Sequence, residues 1–227
     1  MPDNFQSFQF TFPEVAPTIS EVLDFLHSTD LEEEHPAVVF IRETLGELSF
    51  DTGITGGYIV KEIVELNVKS GILSIDGNEL NPGRQVCGYI EEVCFHDFTR
   101  LSNELNEKGD IMEAYLLDTI GSLTVENAIG LIHENLRLTY HAQDLKISNR
   151  YSPGYCNWPL SDQQALFELI GENSTGITLS DSSLMTPRKS VSGVIGIGKN
   201  LKHHEYGCKI CSNTTCIYRK LLSAESV

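Results

Sequence analysis

The chain has 227 residues, of which 41% are hydrophobic and 21% charged, a composition typical of globular proteins and unlike disordered, collagen-like or coiled-coil chains. Its net charge of −16 argues against a nucleic-acid partner, because phosphate backbones are bound by basic surfaces. Its apolar runs fall short of the roughly 20 residues that cross a bilayer, and its first residues do not resemble a signal peptide. We therefore expect a cytoplasmic protein without a membrane or nucleic-acid partner.

The first 60 residues predict one strand and two helices. The strand alternates aromatic and polar side chains, and each helix carries apolar residues at steps of three and four. The expected ranges are 5–12 for the strand, 18–27 for a helix capped by Thr18 or Ser20, and 33–48 for the second helix. Gly53, Gly56 and Gly57 are expected to break the chain after that helix.

The middle of the chain predicts a β-meander followed by helices. Period-two alternation over 58–66 and 72–75, closed by an Asp76-Gly77 turn, indicates two of its strands. Further ranges are 85–93 for a third strand, and 99–109 and 111–140 for helices.

The last third predicts a helix over 161–171 with Ser161 as its cap, and strands over 176–179 and 190–198. Because strands and helices occur in runs, the expected fold class is α+β with a largely antiparallel sheet and flanking helices. We expect one domain over 1–200, with 1–57 as its N-terminal part, and a basic, cysteine-containing tail over 201–227.

Positive charge is concentrated near the C-terminus. Residues 186–220 carry seven basic side chains and one acidic one, whereas the rest of the chain is strongly acidic. Such a segment can dock an anionic partner or cofactor, or it can pair with the acidic side chains of the body.

The segment Arg150-Tyr-Ser-Pro-Gly-Tyr155, followed by Trp158-Pro159, has the residues of a ligand-binding loop. Its prolines keep the backbone extended, and Gly154 permits a close approach of the backbone. Arg150 can bind a carboxylate with two hydrogen bonds, and the aromatic rings can cover an adenine or a sulfonium cation. The alternative is a proline-rich corner whose aromatic side chains fill the core.

Gly193-Val-Ile-Gly-Ile-Gly-Lys199-Asn200 nearly spells a phosphate-binding P-loop. Asn200 replaces the hydroxyl residue that binds magnesium, and the residues after it are a poor start for a helix. We therefore reject nucleotide hydrolysis. The glycines instead favour a strand that lies close to another backbone or to a flat ligand.

Cys208, Cys211 and Cys216 form a C-x2-C-x4-C cluster in the tail. This spacing suits either an iron–sulfur cluster or a zinc ion completed by a histidine or another cysteine. Reduced thiols without a metal are the alternative. No Ser/His/Asp or Cys/His arrangement can be assembled from the spacing, and His133 alone is more typical of a satisfied histidine than of a catalyst.

Five blocks of sequence together resemble the activation domain of cobalamin-dependent methionine synthase. They are Leu131-Ile-His-Glu-Asn-Leu-Arg137, Arg150-Tyr-Ser-Pro-Gly-Tyr155 with Pro159, Gly176-Ile-Thr-Leu-Ser-Asp-Ser182, Met185-Thr-Pro187 and Ser190-Val-Ser-Gly193. The resemblance covers residues 110–198 in consistent order. The whole chain is more similar still to free-standing relatives of that domain, which share the cysteine tail ending in Cys216-Ile-Tyr-Arg219.

The resemblance implies a twisted, activation-domain-like sheet and a function in cobalamin repair. In this family, S-adenosylmethionine and one electron from a reductase convert inactive cob(II)alamin to methylcobalamin. It implies that Arg150 holds the methionine carboxylate, that Ser152 and Gly154 supply backbone contacts, and that Tyr155, with Trp158 beside it, faces the adenosyl group and the corrin. No acid or base is implied, since cob(I)alamin is itself the nucleophile.

The sequence departs from the synthase domain in ways that define its expected partners. It lacks the Asp-x-His-x-x-Gly motif that binds cobalamin, so the cobalamin is expected on a separate methionine synthase or other corrinoid protein. The cysteine tail is absent from the synthase domain, and we hypothesise that it holds an iron–sulfur cluster that helps to pass the electron from a donor. A tail that holds only zinc would instead favour a structural role. The competing hypothesis is a metal-stabilised scaffold or S-adenosylmethionine sensor that docks on a corrinoid protein without methyl transfer.

Overall fold

The computed structural model of this chain describes residues 5–48, 54–63, 65–67, 72–75, 78–80, 82, 93–99, 111–155, 158–171 and 175–201, with 93–99 as backbone only. The strands are β1 Gln6–Phe10, β2 Ile54–Lys61, β3 Glu65–Asn67, β4 Ile72–Ile75, β5 Asn78–Leu80, β6 Val93–Thr99, β7 Lys146–Tyr151, β8 Thr178–Leu179, β9 Met185–Thr186 and β10 Ser190–Gly198. The helices are α1 Phe12–Val15, α2 Ile19–Phe25, α3 Pro36–Glu47, α4 Ile111–His141 and α5 Gln163–Ile170. A 3-10 turn, Leu160–Asp162, leads into α5.

A five-stranded antiparallel sheet in the order β1-β2-β6-β10-β7 organises the fold. Smaller sheets are formed by β3-β4-β5 and by β8-β9. The segregated helices and antiparallel strands confirm the predicted α+β class. Among the described helices, none is both long and apolar enough to span a membrane.

The large sheet carries hydrophobic layers on both faces. Ile195 and Ile197 of β10 pack, with Tyr58 and Ile147, against the buried side of α4. Val194 points the other way, into a core shared with the β3-β4-β5 sheet and α5. The N-terminal helices form a third cluster around the beginning of α4. The site described below lies where α4, β7 and β10 meet.

A bulge in β7 interrupts its pairing with β10, since Ser148 and Asn149 together lie opposite Gly196. Strand β10 continues regularly past this point, so Ile195 and Ile197, two residues apart, face the same side and share a core with α4. Ser148 fills the bulge, because its buried Oγ accepts a hydrogen bond of 2.8 Å from the Gly196 N–H and donates one of 2.7 Å to the Asn149 carbonyl.

Most helices predicted in the described residues are confirmed, whereas several strand predictions need correction. Gly56 and Gly57 do not break the chain but lie in β2, where a Cβ on Gly57 would collide with the Phe5 ring and the Gln6 carbonyl. The alternating run 58–66 is divided between β2 and β3, which belong to different sheets.

Two further elements differ from the sequence predictions. Strand β7 was not anticipated, since its residues Lys146–Tyr151 are mostly polar. Ser161, expected to cap the helix over 161–171, lies within the 3-10 turn, and the helix begins at Gln163 with Asp162 at its N-cap position. The predicted ranges 85–92 and 100–109 lie outside the described residues.

Candidate functional site

The predicted ligand loop follows β7 directly and is closed by its own backbone. The Gly154 N–H donates to the Trp158 carbonyl at 2.8 Å, and the Trp158 N–H donates to the Tyr155 carbonyl at 2.9 Å. Gly154 has a φ of 89°, which a side chain would strain. The turn therefore needs glycine for its shape, and the Gly154 N–H is already used inside the loop.

Trp158 supports this loop from below. Its side chain is 2% exposed and belongs to the core beneath the sheet, and its indole N–H donates to Asp162 Oδ2 at 2.8 Å. It does not line either of the cavities described below. The core-filling interpretation of the segment thus holds for its tryptophan, whereas Arg150 and Tyr155 line the cavities.

Arg150 is held by the carboxylate of Glu126, which the sequence analysis did not predict as part of the site. Its two terminal nitrogens donate to the two oxygens of Glu126 at 3.1 and 3.2 Å. The Arg150 side chain is 24% exposed and that of Glu126 50% exposed. A bidentate pair fixes the plane of the guanidinium, and its exposure leaves both charged groups accessible to a ligand.

The position of β10 depends on a glycine. A Cβ on Gly193 would lie 2.8 Å from Ser152 Oγ, 2.8 Å from the Tyr151 carbonyl and 2.9 Å from Arg150 Cγ. A side chain there would push β10 away from the residues of the loop. The predicted close approach of a glycine-bearing strand to another backbone is thereby confirmed at this position.

A cavity of about 640 Å³ opens on one side of the Arg150–Glu126 pair. Its walls come from the ligand loop, from the N-terminus of α5, from the β8–β9 hairpin and from the beginning of β10. Its lining includes Glu126, Arg150, Tyr155, Leu160, Gln163, Leu184, Arg188 and Ser192. Its volume is in the range of small-molecule sites, which hold ligands of the size of a nucleoside conjugate.

A second cavity, of about 420 Å³, shares Glu126, Arg150, Ser152 and Tyr155 with the first. It continues along α4 past Gly130 to His133. His133 Nε2 lies 3.0 Å from the Ser148 carbonyl, so the ring donates to β7 in the tautomer with a proton on Nε2. The expectation of a satisfied histidine is confirmed. The ion pair thus stands at the junction of the two cavities.

A further contact along α4 fixes the start of β10. Lys189 Nζ lies 2.7 Å from Asp118 Oδ1 and donates to Ser122 Oγ at 2.8 Å. This lysine of the basic segment therefore pairs with the acidic body, as one of the two interpretations of that segment expected. Its neighbour Arg188 is exposed and lines the larger cavity.

The structure brings together three of the five residues proposed to bind a cofactor, since Arg150, Ser152 and Tyr155 line both cavities. Gly154 shapes the loop and Trp158 supports it. Glu126 was missed, although it lies two helical turns before His133 and so on the same face of α4. Cys208, Cys211 and Cys216 lie outside the described residues. Within the described ranges, no group of three or more potential metal ligands is found.

Known proteins resemble this chain in sequence and in fold. Residues 81–218 match the family model described as vitamin B12 dependent methionine synthase, activation domain. The fold is similar to a crystal structure of the MetH reactivation domain bound to AdoHcy, with a TM-score of 0.61 and 14% sequence identity. That similarity covers 88% of this chain and 80% of the other, and at this identity it concerns the fold alone. No curated protein matches the chain.

Proposed function

The chain belongs to the vitamin B12-dependent methionine synthase activation domain family, and on this premise we propose that it binds S-adenosylmethionine and supports reductive remethylation of a cobalamin carried by a separate protein. The partner is a methionine synthase or another corrinoid protein. The observation that carries the proposal is the Arg150–Glu126 pair, held open to solvent at the junction of two cavities.

The pair suits the amino-acid end of S-adenosylmethionine. That end is a zwitterion, and a guanidinium beside a carboxylate offers one partner for each of its charges. Arg150 binds the ligand carboxylate, and Glu126 accepts a hydrogen bond from the ligand ammonium while it keeps the guanidinium in place. Because an ion pair already exists here, neither charge has to be created or buried alone when the ligand enters.

The rim of the larger cavity suits a flat apolar partner. Tyr155 is 64% exposed and Leu184 61% exposed, and the partly exposed Leu160 also lines this cavity. Large apolar side chains grouped at the mouth of a polar cavity favour contact with another surface over contact with water. In this proposal they cover the adenosyl group and meet the corrin face of the partner.

The residues of this site bind and orient the ligand and exclude water from it. S-adenosylmethionine would supply the methyl group and leave as S-adenosylhomocysteine, and the partner's corrinoid would accept the methyl group after reduction by one electron from a reductase. Arg150 and Glu126 fix the amino-acid end, and the loop built on Gly154 and Trp158 fixes Tyr155. Holding two reactants in line contributes to the rate through entropy, so no acid or base from this chain is needed.

The first test is calorimetric titration of S-adenosylmethionine into the anaerobically purified protein and into Arg150→Ala. We expect binding by the wild type and an affinity lower by a factor of about 10 to 100 in the variant, since a bidentate charged contact is lost. Arg137→Ala is the matched control, because Arg137 also pairs with a glutamate on α4, Glu134, but lines neither cavity. Equal losses in both variants would contradict the assigned site.

The second test separates the activator from the sensor or scaffold hypothesis. Radiolabelled methyl transfer from S-adenosylmethionine to a corrinoid protein is measured with a reductant, with and without this chain. Transfer that depends on the chain and is lost in Arg150→Ala supports the activator. Binding without transfer by any corrinoid partner would favour the sensor.

A further inference from the structure

We propose that Gln163 and Ser192 form the subsite that recognises the adenine base in the larger cavity, an inference that rests on the proposed function. Gln163 is the first residue of α5, and Ser192 lies near the start of β10. Both line the cavity, and each is only 2% exposed. Polar side chains so deeply buried are normally fully hydrogen-bonded.

These two side chains are bonded to each other and to little else. Gln163 Nε2 donates to Ser192 Oγ at 2.7 Å. Among the described residues, none donates to Gln163 Oε1 and none accepts from the Ser192 hydroxyl. Oε1 is also not sealed away from the cavity that the side chain lines. The pair therefore presents one acceptor and one donor to the cavity.

An acceptor beside a donor matches one edge of adenine. The exocyclic amine of adenine donates, and its neighbouring ring nitrogen accepts, so a carboxamide and a hydroxyl can satisfy both. A water molecule could satisfy one group but leaves the apolar part of the cavity unfilled. Leu160 and Leu184, which line the same cavity, supply the apolar contact that a flat base requires.

The position of the pair agrees with the amino-acid end at Arg150. Ser192 precedes Gly193, whose backbone lies against Ser152 and Arg150. The base subsite and the ion pair are therefore neighbours in one cavity, as the two ends of one nucleoside conjugate require. The cavity of about 640 Å³ accommodates both.

The test uses two fragments, each of which carries one end of the ligand. 5′-Methylthioadenosine has the base without the amino acid, and S-ribosylhomocysteine has the amino acid without the base. Dissociation constants are measured for both in the wild type, in Gln163→Met and in Arg150→Met. Gln143→Met, on an exposed glutamine after α4, is the matched control.

We expect a crossed pattern. Gln163→Met lowers the affinity for 5′-methylthioadenosine about tenfold and leaves the affinity for S-ribosylhomocysteine unchanged. One polar contact to a base contributes roughly that factor to affinity. Arg150→Met gives the converse, and Gln143→Met changes neither.

A purely structural role for Gln163 gives a different result. In that case Gln163→Met lowers the affinity for both fragments by the same factor. This outcome, or an unchanged affinity for both, overturns the inference and leaves the Arg150 result intact. Failure of the wild type to bind S-adenosylmethionine in the first test overturns the proposed function and this inference together.

Discussion

At the scale of single residues, the site depends on charges and atoms that hold Arg150 in place. Glu126→Gln removes the charge of the partner while keeping its shape. We expect the affinity for S-adenosylhomocysteine to fall about tenfold, because the ammonium loses a charged acceptor and the guanidinium loses its orientation. The free energy of unfolding should change by less than about 1 kcal/mol, since the pair is partly exposed and solvent-screened.

Glu134→Gln is the control for this prediction. Glu134 forms an ion pair with Arg137 on the same helix, and both side chains are about half exposed and outside the cavities. Affinity is read by calorimetry and stability by urea unfolding. A loss of stability in Glu126→Gln with unchanged affinity would assign Glu126 to the fold instead of the ligand.

Gly193 is the residue whose substitution should disturb both the fold and the site. Because its Cβ would lie within 3 Å of two backbone or side-chain oxygens and of Arg150 Cγ, Gly193→Ala should cost about 1–3 kcal/mol of unfolding free energy and weaken ligand binding. Gly46→Ala is the opposite case, since its Cβ meets nothing within 4 Å in α3. Gly46→Ala should raise the free energy of unfolding by about 0.5–1 kcal/mol and leave ligand binding unchanged. Similar unfolding midpoints for both variants would contradict the close approach.

At the scale of the elements, the ligand loop depends on a buried tryptophan. Trp158→Phe removes the hydrogen bond to Asp162 and part of the ring volume, and we expect it to lower the unfolding free energy by about 1–3 kcal/mol. The affinity of the folded variant should change less than about threefold, since Trp158 lies outside both cavities. Thermal melts and calorimetry below the melting range separate the two effects. Lost affinity at unchanged stability would make Trp158 a ligand contact after all.

Helix α1 should respond to acid through its N-terminal cap. The Thr11 N–H and hydroxyl donate to Glu14 Oε2 at 2.7 and 2.8 Å. Both hydrogen bonds lower the pKa of Glu14, and the one from the backbone N–H has the larger effect. A lowered pKa in the folded state adds stability above the ordinary glutamate pKa, and that stability is lost as the pH falls through the folded value.

The measurement is the difference in melting temperature between the wild type and Glu14→Gln across pH. We expect the wild type to be the more stable at about pH 6, and the difference to shrink as the pH falls below the ordinary glutamate pKa. A difference that stays constant over this range would show that the charged form is not favoured by the cap.

Sequence patterns predicted α2, α3, α4 and α5, because the spacing of their apolar residues indicates which face is buried. They missed the short helix α1, whose first residue, Phe12, was assigned to the preceding strand. The 111–140 periodicity gave α4 to within a residue at each end. Strand β7 escaped prediction because Ser148, Asn149 and Arg150 are polar, and their burial is explained only by a bulge and by α4, both tertiary features. Arg150, Ser152 and Tyr155 were found through a motif, whereas Glu126 is one of many acidic residues until the fold places it beside Arg150.

At the scale of the whole molecule, the tail is predicted to act independently of the ligand cavities, which are lined by residues from 126 to 192. We propose that Cys208, Cys211 and Cys216 bind an iron–sulfur cluster or zinc. The triple Cys→Ser variant, purified anaerobically, should lose its iron and sulfide, or its zinc, in elemental analysis. S-adenosylmethionine binding should persist within about threefold.

Metal content equal to that of the wild type would rule out these ligands. Loss of iron with loss of methyl transfer, but with retained ligand binding, would connect the tail to electron delivery. Zinc alone, without any effect on transfer, would favour the structural role.

The place of β10 in the sheet has a consequence for how the protein is made. It is the last strand that the structure describes, yet it lies inside the sheet, and it is the partner through which β7, with Arg150, joins the other strands. A nascent chain that stops short of residue 190 has Arg150 on a strand without a neighbour, and it lacks Ser192 altogether. On the proposed function, S-adenosylmethionine binding should therefore start only after β10 has left the ribosome, and unfinished chains should not compete with finished ones for the ligand.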